Sequence, residues 1–172
     1  MDNILIQYYK TPYGELVLGS FANQLCLCDW RYRKMRQAID KRVSKGLNAG
    51  FKEQGESVIN DAISQLEEYF SGKRLIFDID LLMIGTDFQK AVWHALLEVA
   101  YGKTATYLQL ADRIGNINAV RAVAGANGAN AISIFIPCHR IIGSDGALVG
   151  YAGGMRAKKK LLQLEEPEPL WG

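Results

Sequence analysis

At 172 residues, with 49% hydrophobic and 22% charged residues and a net charge of +2, the chain has the size and composition of a globular protein with one large domain or two small ones. No apolar run approaches the roughly 18 residues that cross a bilayer, and the first residues lack the features of a secretory signal, so we expect no contact with membranes. Three cysteines, an odd number, argue against a disulfide framework and favour a cytoplasmic location.

Three segments near the N-terminus alternate or run apolar and are separated by turn residues. This pattern predicts an antiparallel meander of strands over residues 4–9, 14–20 and 24–30. Cys26 and Cys28 lie two residues apart on the third strand and therefore on the same face of it. Because this half of the chain has no further cysteine and no nearby histidine, we expect both thiols to pack in the core and predict no metal site.

Two helices and a further strand are expected to complete the N-terminal half. Residues 33–45 form a basic helix candidate closed by Gly46, and apolar residues recur along one stripe of residues 56–71. Residues 77–82 have the pattern of another strand. Together these elements predict an α/β domain over residues 1–84.

Capping boxes mark the starts of two helices in the second half of the chain. Thr86 is followed three residues later by Gln89, and Thr106 by Gln109, so each N-cap has its reciprocal partner. Asn118 is expected to cap a third helix, which is short and rich in alanine and glycine. Two short helices joined by a tight turn are typical of a helix-turn-helix.

The predicted helix-turn-helix lies in the basic part of the chain. The segment from Tyr101 to Lys160 contains eight lysines and arginines and two aspartates, which gives it a net charge of +6. The remainder of the chain therefore carries a net charge of −4. This asymmetry predicts that a polyanion binds the C-terminal half, for which we take residues 85–172. His94 falls off the apolar stripe of its helix and is expected to be exposed. Pro167 and Pro169 are expected to prevent the last helix from continuing.

An apolar, strand-like segment begins at Ile134 and reaches Pro137, where the missing donor and fixed φ of proline should end regular pairing. Cys138 and His139 follow directly. A thiol beside an imidazole at the end of a buried strand is suited to act as a nucleophile. A cysteine in an apolar run is more often a packing residue, but the preceding proline and the adjacent His-Arg pair favour the nucleophile.

The segment from Phe88 to Glu165 closely resembles the O6-alkylguanine-DNA alkyltransferases, also called methylated-DNA–protein-cysteine methyltransferases. The matching motifs are FQKAVWHALLEVAYGKTATYLQLA, NAVRAVAGANGAN, IPCHRII and YAGG. The resemblance implies a ribonuclease-H-like α/β N-terminal domain and a mainly α, winged-helix-like C-terminal domain with a helix-turn-helix. It also implies a monomer that irreversibly transfers an alkyl group from O6-alkylguanine, and from O4-alkylthymine, in double-stranded DNA to its own cysteine, without a cofactor or metal ion.

The resemblance assigns a role to each matching residue. Cys138 would be the alkyl acceptor, and His139 and Glu165 would form, with a bound water, the relay that removes its proton. Asn130 would brace the turn that carries the cysteine, and Tyr107 would donate a proton to the departing base. The residues implied to contact DNA or the extruded base are Arg121, whose side chain would enter the duplex, with Arg140, Ile141, Tyr151, Ala152, Gly153, Ala126 and Asn127.

Attack on a saturated alkyl carbon requires a thiolate, so we expect the pKa of Cys138 to be lowered by about two units, a change worth about 2.7 kcal/mol. Two alternatives are a cysteine hydrolase, with Cys138 and His139 as a dyad, and a non-catalytic helix-turn-helix protein that binds DNA or senses damage. The dyad is disfavoured because adjacent residues of an extended chain point to opposite faces. The sensor is disfavoured because it would lack the cysteine.

Overall fold

A computed structural model describes residues 2–166 of the chain. Its N-terminal half is built on the predicted antiparallel meander of β1 (Ile4–Thr11), β2 (Gly14–Phe21) and β3 (Gln24–Trp30). A short strand that the sequence pattern did not indicate, β4 (Phe51–Glu53), pairs parallel to β1 and gives the sheet order β3-β2-β1-β4.

Two helices complete the N-terminal half, α1 (Arg36–Leu47) and α2 (Ser57–Phe70). The prediction that Gly46 ends the first helix was wrong, because α1 continues through it to Leu47. The next residue, Asn48, caps the helix in the left-handed conformation with φ 49°. Gly46 instead allows close packing, since a Cβ there would lie 2.4 Å from the Ile84 side chain.

The strand predicted over residues 77–82 does not form. Leu25 of β3 makes a single bridge to Leu81 there, donating to the Asp80 carbonyl and accepting from the Leu82 amide. The edge of β3 is divided, because farther along it Cys28 pairs with residues 131–133. Residues 80–82 and residues 131–133 therefore each pair with only a short part of β3.

The C-terminal half contains α3 (Asp87–Leu97), α4 (Tyr107–Arg113), α5 (Val120–Gly128) and α6 (Met155–Glu165), with a parallel pair of two-residue strands, β5 (Ala105–Thr106) and β6 (Ile141–Ile142). Both predicted capping boxes are confirmed, since each has its two reciprocal hydrogen bonds. The cap predicted at Asn118 was wrong: Ala119 precedes α5 and makes no side-chain cap.

Some sequence expectations concern exposure and chain ends. His94 is exposed, as predicted. Cys26 and Cys28 are both buried in the core, also as predicted. The expectation for Pro167 and Pro169 lies outside the described residues. Within residues 2–166, no helix is long and apolar enough to cross a membrane.

The segment before Cys138 is a tight loop and not the predicted strand. Ile132 accepts from the amide of Ile136, and Ile134 between them has a φ of 74°, which is rare for a β-branched residue. Residues 138–140 then form one turn of 3₁₀ helix. The cysteine therefore lies between a hydrogen-bonded loop, which precedes it, and the 3₁₀ turn that it begins.

Candidate active site

Cys138 lies at the start of the 3₁₀ turn, with its side chain almost fully buried. The Asn130 amide nitrogen donates to Cys138 Sγ at 3.2 Å and to the Ile136 carbonyl at 2.9 Å. The Asn130 amide oxygen accepts from the Ile132 backbone at 3.0 Å. One side chain thus ties the loop to the sulfur, which is the geometry that a bracing role requires.

The next two residues of the turn converge on the carboxylate of Glu165, in the last turn of α6. His139 Nε2 lies 2.8 Å from Glu165 Oε2, and Arg140 contacts both carboxylate oxygens, through Nε at 2.7 Å and Nη2 at 3.0 Å. Arg140 also donates to the Val99 carbonyl. All three side chains are buried, and we call them the relay cluster.

The protonation states in the relay cluster follow from its contacts. Burial alone would raise the pKa of Glu165, but the hydrogen bonds from His139 and Arg140 have the larger combined effect and lower this pKa to about 2. Burial is also the main reason that the pKa of His139 is lowered from its ordinary value. A neutral imidazole beside an ionised carboxylate carries its proton on Nε2, which leaves Nδ1 as the base. This Nδ1 is buried and has no hydrogen-bond partner among residues 2–166.

The expectation of a lowered thiol pKa was wrong for the resting molecule. Burial raises the pKa of Cys138 above its ordinary value, and the hydrogen bond from Asn130 only partly offsets that effect. The thiol therefore rests in its neutral form. A thiol must lose its proton before it can act as a nucleophile, and the unpaired Nδ1 of His139, the next residue, is a candidate base.

A cavity of about 310 Å³ opens onto Cys138. Four of the predicted site residues line it with the cysteine, namely Tyr107, Asn127, Tyr151 and Ala152, and its other lining residues are Arg33, Ala124, Gly128 and Gly150. The Tyr151 hydroxyl accepts from Trp30 Nε1 at 3.2 Å, and its ring meets the His139 ring edge-on. The pKa of Tyr107 is raised, mainly by burial and to a smaller extent by the nearby Cys138, so this phenol is protonated at neutral pH.

Other residues predicted to contact DNA are held inside the protein. The Arg140 guanidinium is held by Glu165 and by the Val99 carbonyl, and its contact with DNA stays a prediction. Ala126 is buried, and its carbonyl accepts a hydrogen bond from Trp93 Nε1. Gly153 lies so close to the Trp30 ring that a Cβ added to it would be 2.4 Å from a ring atom. The Ile141 side chain is buried, and its carbonyl accepts from Lys158 Nζ. Arg140, Ala126, Gly153 and Ile141 are not among the residues that line the 310 Å³ cavity.

Arg121 differs from that group because it is exposed on α5. It makes no salt bridge to any of residues 2–166. Its charge is therefore available to a partner. Lys158 and Arg140, by contrast, are buried, so two of the cations counted in the basic half are used internally.

Residues of the N-terminal half support the site in ways that sequence reasoning missed. Arg33 donates to the carbonyls of Gly128 at 2.6 Å and Asn130 at 3.4 Å, and Arg42 donates to that of Ala129 at 2.8 Å. Buried Asp29 holds Arg33 at 3.2 Å. The end of α5 is thus capped by two arginines that lie about 90 residues earlier, for which no local pattern gives a signal.

We find no candidate metal centre in the part of the chain that the structure describes. Within residues 2–166 no group of three or more histidine, cysteine, aspartate or glutamate side chains is arranged to bind a metal ion.

Comparison with known proteins adds independent findings. The model of the 6-O-methylguanine DNA methyltransferase ribonuclease-like domain matches residues 4–83, and that of the DNA-binding domain matches residues 87–167. The methylated-DNA–protein-cysteine methyltransferase of Mycobacterium leprae is 40% identical over 93% of this chain and 91% of its own length. That of Methanosarcina barkeri is 54% identical over 66% of this chain and 72% of its own length. The crystal structure of Mycobacterium tuberculosis OGT in complex with DNA superposes with a TM-score of 0.80 at 36% identity, covering 94% of this chain and 92% of the other.

Proposed function

This chain belongs to the 6-O-methylguanine DNA methyltransferase family, and we propose that it repairs duplex DNA by moving the alkyl group of O6-alkylguanine onto its own Cys138. The observation that carries the proposal is the arrangement around that sulfur. A buried thiol at the wall of a 310 Å³ cavity is held by Asn130, and the adjacent His139 belongs to the relay cluster.

Burial of the thiol determines how the lesion must reach it. The Cys138 side chain is only 3% exposed, so a base stacked inside a duplex cannot contact it. The target nucleotide has to leave the helix and enter the cavity, at a cost of a few kcal/mol that is lower for a poorly paired lesion. Exposed Arg121 on α5 is suited to occupy the space that the base leaves, because a long planar guanidinium can stack and donate hydrogen bonds there.

The proposed reaction balances without a cofactor or metal ion. The Cys138 proton moves to the unpaired Nδ1 of His139, directly or through a water, and the sulfur attacks the alkyl carbon. The bond between that carbon and guanine O6 breaks as the carbon–sulfur bond forms. The departing guanine anion takes a proton from Tyr107, which faces the same cavity. This leaves an imidazolium at His139 and a phenolate at Tyr107. The imidazolium then loses its added proton to solvent and the phenolate regains one from solvent, so the net products are a thioether and neutral guanine.

Stoichiometry tests this proposal. A thioether has no good leaving group, so each molecule should react once. With excess duplex containing O6-methylguanine, we expect the amount of restored guanine to reach a plateau at about one per protein molecule, as for a single unregenerated nucleophile. Steady turnover of an ester or peptide would instead indicate a cysteine hydrolase. Binding of the duplex without restored guanine would indicate a damage sensor.

Replacing Arg121 by alanine tests the entry of its side chain into the duplex. We expect Arg121→Ala to slow repair of duplex by about tenfold and to leave the reaction with free O6-methylguanine base unchanged, because only the duplex has to be opened. Arg113→Ala is the matched control, since Arg113 is an exposed arginine on the neighbouring helix α4. Equal losses with duplex and free base would contradict the assignment.

The proposal also covers substrate range, oligomeric state, location and domain boundary. We propose that the same cavity also accepts O4-alkylthymine and that the protein acts as a monomer. Three free cysteines, all buried, fit a reducing cytoplasmic compartment. We place the domain boundary between residues 84 and 85, which falls between the two matched family models.

A further inference from the structure

Tyr69, a residue of the N-terminal half, reaches the relay cluster. It lies in the last turn of α2, is fully buried, and donates its phenolic hydrogen to Glu165 Oε2 at 2.5 Å. The two residues are 96 positions apart in the chain. The contact therefore depends on the packing of the two halves against each other.

Tyr69 shares its acceptor with the imidazole of the relay cluster. Glu165 Oε2 also lies 2.8 Å from His139 Nε2 and 3.0 Å from Arg140 Nη2. A carboxylate oxygen has about two lone-pair directions, so three donors on one oxygen restrict the rotation of the carboxylate. Tyr69 differs from the other two donors because it comes from the N-terminal half of the chain.

We propose that Tyr69 is a positioning residue for alkyl transfer: its hydroxyl fixes the orientation of Glu165 so that His139 keeps its proton on Nε2 and presents a bare Nδ1 to the thiol. This inference rests on the proposed function. It also gives the N-terminal half a direct part in the chemistry, in addition to its structural support of α5.

The surroundings of Tyr69 separate this role from simple packing. Its ring is held by three aromatic neighbours, with centroid distances of 5.4 Å to Phe70, 5.3 Å to Phe77 and 6.2 Å to Tyr101. Phenylalanine at position 69 would keep those contacts and remove only the hydroxyl. Without that donor, the carboxylate has greater freedom to rotate and a stronger attraction for the imidazole proton. Both changes reduce the fraction of neutral imidazole with a free Nδ1.

The chain contains a second tyrosine nearby, half-buried Tyr101, that serves as the control for the loss of a phenolic hydroxyl. Tyr101 packs edge-on against Tyr69, and its hydroxyl donates to the backbone carbonyl of Leu164 at 3.2 Å, one residue before the relay carboxylate. Tyr101→Phe therefore removes a hydroxyl from the same region without removing a donor to Glu165.

The experiment compares the unmodified chain, Tyr69→Phe and Tyr101→Phe by three measurements. These are the first-order rate of methyl transfer at saturating duplex, the affinity for the duplex, and the ¹⁵N chemical shifts of His139. We expect Tyr69→Phe to lower the transfer rate by about tenfold, as for loss of a hydrogen bond to a charged group. Its His139 shifts should move away from the neutral Nε2–H form while duplex affinity stays unchanged. Tyr101→Phe should match the unmodified chain in all three measurements.

Several results would overturn the inference. An unchanged transfer rate or unchanged His139 shifts in Tyr69→Phe would do so, and so would equal losses in Tyr69→Phe and Tyr101→Phe, which would indicate a general packing effect. Transfer by the unmodified chain is measured in the same series. If that chain accepts no methyl group, the proposed function itself fails, together with this inference.

Discussion

Cys138→Ser is expected to abolish alkyl transfer while leaving affinity for alkylated duplex nearly unchanged. A serine hydroxyl is a far weaker nucleophile than a thiol and does not ionise near neutral pH, so the rate should fall by at least about a thousandfold. The DNA-binding surface should be unaffected, because the cysteine side chain is almost entirely inside the protein. A single-turnover assay with O6-methylguanine duplex and an anisotropy titration with the same duplex measure the two quantities.

Cys26→Ser is the matched control for this substitution. Cys26 is also a free, buried cysteine, but it lies on β3 and does not line the 310 Å³ cavity. We expect this variant to react at the rate of the unmodified chain, although burial of a hydroxyl lowers its stability by about 1–3 kcal/mol. Alkyl transfer that survives Cys138→Ser, or that is lost with Cys26→Ser in a folded protein, would show that another thiol is the acceptor.

Glu165→Gln is expected to reduce both reactivity and stability. The substitution removes the negative charge that accepts from His139 and pairs with Arg140, and the buried guanidinium is left without a counterion. Breaking one partner of a buried ion pair costs about 3–5 kcal/mol, and we expect alkyl transfer to slow by at least about a hundredfold because the relay loses its acceptor. Chemical denaturation and the single-turnover assay measure the two losses.

The stability loss in Glu165→Gln should depend on pH. In the folded protein the pKa of Glu165 is about 2, below its ordinary value of 4.5, so this carboxylate stabilises the fold fully above pH 4.5. The contribution is lost progressively as the pH falls from 4.5 towards 2. The gap in unfolding free energy between the unmodified chain and the variant should therefore be widest near neutral pH and narrow in acid.

Glu166→Gln serves as the control for the glutamate substitution. Glu166 is the next residue, is exposed, and follows the end of α6. It should react and unfold like the unmodified chain across the same pH range. A Glu165→Gln variant that transfers the alkyl group at the unmodified rate, or whose stability deficit does not change on acidification, would contradict the role assigned to the relay cluster.

Elements whose signals are local were predictable from the sequence. The capping boxes at Thr86 and Thr106 each depend on residues three positions apart, and both helices begin where the boxes place them. The meander was equally clear, because alternating apolar residues and turn residues mark its strands. Cys138 was predicted as the nucleophile from its immediate neighbours and from the family resemblance.

Features that depend on distant contacts were not predictable. The contacts of Tyr69 with Glu165 and of Arg33 with Gly128 each join residues about 95 positions apart, and nothing in the local sequence indicates either one. The apolar run beginning at Ile134 was predicted as a strand, but pairing with Cys28 of β3 ends at Ser133 and the chain turns at Ile134, where φ is 74°. Composition gives no signal for that turn.

Charge counts have the same limitation as apolar patterns. Arg140 and Lys158 contribute to the basic excess of the C-terminal half, but the structure places both inside the protein, where they bind Glu165 and backbone carbonyls. A net charge does not distinguish cations that face a partner from cations that hold the fold together. Arg121 is exposed and Arg140 is buried, a difference that only the three-dimensional arrangement reveals.

The most direct test of the central claim is the mass of the protein after it meets damaged DNA. The unmodified chain is incubated with a duplex that contains one O6-methylguanine, and its intact mass and proteolytic peptides are then measured. We expect every reacted molecule to be heavier by a single CH₂ unit, located on Cys138, and the guanine to be restored. An unchanged mass with Cys138 still free, or a methyl group on any other residue, would contradict the account.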